Sequence, residues 1–93
     1  MHRLEGSYER IHEMIEAAWL EVHAALPPGW FVGQPAFESR RAVPWSMYAF
    51  DTTEKPKIGH RSREWTAMAP TELDVLVEMA RCLGEIRLGR VPK

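Results

Sequence analysis

The spacing of hydrophobic residues changes twice along this chain, and that change limits what it can fold into. Leu4, Tyr8, Ile11, Ile15, Ala18, Val22 and Ala25 recur at alternating steps of four and three, which is one face of a helix. In Trp45–Asp51 and again in Arg63–Ala69 the period falls to two: Trp45, Met47 and Ala49 point one way and Ser46, Tyr48 and Phe50 the other. Helical spacing returns with Leu73, Leu76, Val77, Ala80 and Leu83, and a second stripe runs through Val75, Met79, Cys82 and Ile86.

Local signals set the boundaries. The first helix is expected over about 6–26, with Glu5, Glu9 and Glu13 near its positive end. Pro27-Pro28-Gly29 stops it, because a proline pushes the residue before it out of helical geometry. Strands are expected at about 30–34, 45–51 and 63–69, the first at a sheet edge because Pro35 follows it. Thr71 suits an N-cap for a helix over about 72–88, Gly89 ends it, and 90–93 reads as a frayed tail. The expected fold class is therefore α+β, in the order α-β-β-β-α. Short connections favour an antiparallel meander, and two helices can cover one face of so small a sheet.

A length of 93 residues suits one domain spanning 1–93. Its formal charge of −1 excludes a polybasic clamp that works by bulk charge. No apolar run approaches the roughly 18 residues of a membrane span, and the start is too polar for a signal peptide. The single cysteine, Cys82, cannot close an internal disulfide, which fits a reducing, cytoplasmic setting. Arginine outnumbers lysine and asparagine is absent, a bias associated with high-GC bacterial or phage genomes.

The residues offer little catalytic chemistry. Cys82 lies mid-helix among apolar neighbours, where a cysteine behaves as a small hydrophobe. No Gly-x-Ser-x-Gly turn and no phosphate-cradling glycine loop occur. His12, Glu16, Trp19 and His23 share a helix face, but without cysteine pairs or a His-Glu-x-x-His run they read as a surface feature. Asp51 and Glu54 read as parts of a solvated turn rather than ligands of magnesium. The expectation is no enzymatic activity, no cofactor and no metal.

Charge is uneven: Met1–Gln34 carries a net −3 and Pro35–Trp65 a net +2. Lys55, Lys57, His60, Arg61 and Arg63 could line a phosphate track, joined by Arg40 and Arg41. The helix–three strands–helix order across Gly6–Gly89 resembles the double-stranded-RNA-binding domain. That resemblance implies phosphate contacts from a lysine cluster at the start of the last helix. The matching positions here are Thr71, Glu72, Leu73 and Asp74, and the first helix is acidic where that family reads a minor groove.

The four tryptophans carry the most information about the core. Each removes about 150–250 Å² from water when buried, so a small domain is expected to bury most of them. Placing Trp45, Trp65, Met47, Ala49, Ala67 and Ala69 inward, against Ile11, Ile15, Trp19, Val22, Leu76, Ala80 and Leu83, leaves a surplus. Tyr48, Phe50, Met68 and Phe31 then lie on the outer sheet face, and the stripe Val75, Met79, Cys82 and Ile86 lacks an internal cover. Aromatic and methionine side chains on an open face are enriched at protein interfaces. The chain is therefore expected to be a regulatory or inhibitory adaptor of bacterial or phage origin. It would bind a protein, or itself, through Tyr48, Phe50, Met68, Met79 and Ile86, with Arg40, Arg41 and Arg61 as a polar rim. Nucleic-acid binding through the basic 55–63 segment is the alternative.

Overall fold

The computed structural model describes residues 2–53 and 63–92, with side chains of the first helix described from Arg10 onward. The elements are α1 (His2–Ala25), β1 (Trp30–Val32), β2 (Ala36–Phe37), β3 (Trp45–Asp51), β4 (Glu64–Ala69) and α2 (Glu72–Arg87). Among the described residues this is a two-helix, four-stranded antiparallel α+β fold with β3 at its centre, paired with β4 on one side and with β1 and β2 on the other. The expected α-β-β-β-α order holds, because β1 and β2 together occupy the place of one strand.

The registers show how that strand is broken. Val32 stands opposite Ala49 and Ala36 opposite Ser46, while the Gly33 N–H donates to the Tyr48 carbonyl at 2.9 Å. Gln34 and Pro35 are thereby left facing Met47 alone, which is a β-bulge. Proline has no N–H to give a ladder, so the interruption falls where the sequence could not have continued the pairing.

The turns follow from their residues. Trp30 N–H donates to the Pro27 carbonyl at 3.1 Å, and Gly29 between them has φ +81°, a conformation that favours glycine. Thr71 caps α2, its hydroxyl oxygen accepting from Asp74 N–H at 3.0 Å. At the other end Gly89 has φ +78°, and the N–H groups of Gly89 and Arg90 donate to the carbonyls of Ile86 and Glu85. That pair of reverse bonds satisfies two carbonyls the last turn would leave open.

Both helices stand on the same side of the sheet. α2 lies against β3 and β4, and α1 packs along α2. The core joins Val22 of α1, Met47, Ala49, Ala67 and Ala69 of the sheet, and Val75, Leu76, Met79 and Leu83 of α2. All four tryptophans pack against this cluster, each only partly buried.

Two expectations about the helices are corrected. The second stripe of α2 is covered by its own chain: Val75, Met79 and Cys82 are buried, and Ile86 packs against the core. A helix whose polar ribbon is only Asp74, Glu78, Arg81 and Glu85 is clothed from both sides, by the sheet and by α1. Ile11, expected in the core, is 50% exposed. Met14 and Ala17 lie beside Leu73 and Val77, and the Arg87 guanidinium donates to the Ala24 carbonyl at 2.8 Å, so the two helices run in the same direction. With 24 residues against 16, α1 is longer than α2 by about 12 Å, and Ile11 lies close to the level at which α2 begins. Among the described residues no helix is long and apolar enough to cross a membrane.

Candidate partner-binding surface

Alternation along β3 determines which side chains face away from the helices. Met47, Ala49 and Asp51 are buried on the inner side, so Ser46, Tyr48 and Phe50 are directed outward. Register carries that face across the sheet: Phe31 stands opposite Phe50, Thr66 opposite Tyr48, Glu64 opposite Phe50, and Met68 opposite Ser46.

The rings form a continuous row. Phe31 and Phe50 have centroids 5.3 Å apart with planes at 46°, and Phe50 and Tyr48 lie 6.2 Å apart with planes at 14°. Phe31, Tyr48 and Met68 remain 49%, 51% and 46% exposed. Gly33 sets where the Tyr48 ring lies. A Cβ built at Gly33 would come within 2.9 Å of Tyr48 Cε1 and Cζ, so the ring lies over the bare backbone, an aromatic covering an edge glycine.

The structure thus brings Tyr48, Phe50 and Met68 together, as the alternation required. Arg40 and Arg41 are exposed in the turn between β2 and β3, which is closed by Glu38 N–H donating to the Pro44 carbonyl at 2.8 Å. They border the Ser46–Met68 end of the face. Met79 does not belong to this surface, being fully enclosed in the core. Ile86 does not either: it lines a cleft of about 170 Å³ with Trp30, Trp65 and Arg63 on the helix side. Arg61, with Lys55, Lys57 and His60, lies outside the described residues.

Sequence reasoning missed Phe37 and Val43. Phe37 is 59% exposed and tilts against Trp45 with centroids 5.3 Å apart, and Val43 is also exposed. Both sit beside the arginine turn, but Phe37 stands opposite Trp45 and so lies on the helix side of the sheet rather than on the outer face. The one available signal was that Ala36-Phe37 resumes alternation after Pro35.

Other chemistry is accounted for by structure. The Asp51 carboxylate is buried and accepts from Thr53 N–H at 2.9 Å and Thr53 Oγ1 at 2.6 Å, closing the turn after β3. On α2 the Arg81 guanidinium donates to both oxygens of Glu78, holding that carboxyl below its ordinary value. Burial pushes the Cys82 thiol up, and the Glu78 carboxylate adds to the shift. The thiolate needed for nucleophilic chemistry is therefore disfavoured. The Trp65 indole N–H acts on that thiol in the opposite sense, at a geometry short of a hydrogen bond. His12 and His23 are exposed on α1, and His23 stacks on Trp19 with centroids 5.6 Å apart. Among the described residues no group of three or more His, Cys, Asp or Glu side chains is placed to hold a metal ion.

Comparison with known proteins returns no matching family model, no similar curated protein and no similar solved structure.

Proposed function

We propose that the protein is a small non-enzymatic interaction module, a regulatory or inhibitory adaptor, which docks a partner protein on the outer face of its sheet. The observation that supports this is the row Phe31–Phe50–Tyr48 with Met68 beside it on the side away from both helices, where Phe31, Tyr48 and Met68 stand exposed and Phe50 is part-buried between its neighbours. Such residues at the centre of a patch, with Arg40 and Arg41 at its margin, have the composition of a binding surface. A cytoplasmic setting accords with a lone, buried, protonated cysteine.

The experiment is affinity capture run in parallel with the parent chain and four variants. Tyr48→Glu and Met68→Glu place a charge on the outer face, and Leu20→Glu and Val77→Glu place one at exposed positions on the helices. A partner retained by the parent and the helix variants, and lost with both sheet variants, is the expected outcome. A partner lost only with Val77→Glu would move the site to the helices. Binding to a labelled RNA duplex that weakens with salt, and that Arg61→Glu removes while Tyr48→Glu spares it, would replace this reading with the nucleic-acid one.

A further inference from the structure

The sheet has two edges, and they are finished differently. On the β1–β2 side the bulge at Gln34 and Pro35 breaks the row of outward main-chain groups, and Trp30 N–H is taken by the Pro27 carbonyl. These are devices that blunt an edge against further pairing. The β4 side has none of them. Glu64–Ala69 contains no proline, glycine or lysine, and its pairing with β3 is uninterrupted over six residues.

Register shows which groups β4 presents outward. Asp51 N–H donates to the Arg63 carbonyl at 2.8 Å, so residues 63 and 51 form a hydrogen-bonded pair. Because such pairs alternate in an antiparallel ladder, Trp65, Ala67 and Ala69 direct their main-chain groups toward β3, and Glu64, Thr66 and Met68 direct theirs away. Among the described residues no main-chain group pairs with those three on the outer edge.

We propose that this edge is a self-association site, where β4 of a second copy adds antiparallel about a two-fold axis at Thr66. Two-fold symmetry fixes the register that engages all three outward residues: Thr66 faces the partner's Thr66, and Glu64 faces the partner's Met68. On the helix side Trp65 then faces the partner's Ala67, a large side chain against a small one. The strand is self-complementary in this register. Its one charged side chain, Glu64, meets no like charge, and Thr–Thr is a favourable cross-strand pair. A net charge of −1 per protomer adds little long-range repulsion. A second copy is favoured over an unrelated strand because a two-fold contact needs only the one edge the chain already has. The inference does not rest on the outer face binding a partner, since that face stays open when the edges join.

The test is the mass of the full chain by analytical ultracentrifugation across concentration, up to millimolar. The expected result is a rise from one protomer toward two. Thr66→Pro removes an outward N–H without touching the β3 ladder, and is expected to stay a single protomer with an unchanged circular dichroism spectrum. Thr66→Lys and Thr66→Glu each set like charges across the axis and should weaken self-association by about fivefold, the size of one unfavourable cross-strand pair. Mixing those two variants should restore it, which separates loss of pairing from loss of folding. In a mixed-label sample the expected marker is a close Hα–Hα contact between Trp65 and the partner's Ala67. A single protomer at every concentration would overturn the proposal, as would a dimer that the Thr66 variants leave intact. A dimer abolished by Tyr48→Glu would instead place the contact on the outer face, and would equally overturn it.

Discussion

The inner face of the sheet carries Met47, Ala49, Ala67 and Ala69, buried beneath α2 and flanked by part-buried Trp45 and Trp65, whereas Phe31, Tyr48 and Met68 stand about half exposed on the outer face. Directly beneath α2 the sheet presents the small Ala49, Ala67 and Ala69, with Met47 among them and the larger Trp45 and Trp65 packing against the same core. The physical reason lies in α2. Leu76, Met79 and Leu83 fill the interior, and alanines on the sheet leave room for that helix to approach closely. Much of the bulk in the core thus comes from α2, with Met47, Trp45 and Trp65 adding to it from the sheet, while Phe31, Tyr48 and Met68 stay half exposed on the other side. Stability and binding should be separable by mutation on the two faces.

The largest effect expected is on the inner side. Leu83→Ala leaves a cavity in a fully enclosed site and should cost about 2–5 kcal/mol, read from the urea midpoint at constant m-value. A loss below 1 kcal/mol would mean that the interior is not packed as described. An intermediate effect is expected at Gly33, where the outer face meets the backbone. Gly33→Ala crowds Tyr48, so the ring must shift, and aromatic proton shifts of Tyr48 and Phe50 should move. The stability cost should be only about 1 kcal/mol, because the obstructing atoms belong to a ring that can turn outward.

Much of this was legible in the chain. Alternation in Trp45–Asp51 assigned both faces of β3 correctly, and Thr71, Asp74 and Gly89 marked the ends of α2. What could not be read was set by tertiary placement. Met79 and the second stripe of α2 looked uncovered because the pattern shows how wide an apolar surface is, and not how many neighbours it meets. Ile11 follows the periodicity of a core residue, yet its burial depended on where α2 begins alongside α1. β2 was hidden because a bulge at Pro35 has the same local signature as the end of a strand. The candidate site was partly legible: Tyr48, Phe50 and Met68 through their period of two, whereas Met79 and Ile86 were assigned to it and belong to the helix side.

The smallest effect expected is electrostatic and belongs to neither face, which makes it a useful control. Arg81 holds the Glu78 carboxyl below its ordinary value, so the folded chain binds that proton less readily than the unfolded one. Its contribution is present above the ordinary glutamate range and is lost as pH falls through the lowered value. Glu78→Gln should flatten the acid limb of the stability profile slightly, and salt should shrink the difference because both side chains are well exposed. Outer-face variants such as Tyr48→Glu should leave that limb unchanged.

The contrast between the two faces is tested most directly by hydroxyl-radical footprinting of the chain on its own, read residue by residue. The expected pattern is rapid oxidation of Phe31, Tyr48 and Met68, with Met47 and Met79 protected until urea unfolds the chain. Protection of Tyr48 and Met68 to the same degree as Met47 and Met79 would show that the chain covers its own outer face, and would contradict both the contrast and the function built on it.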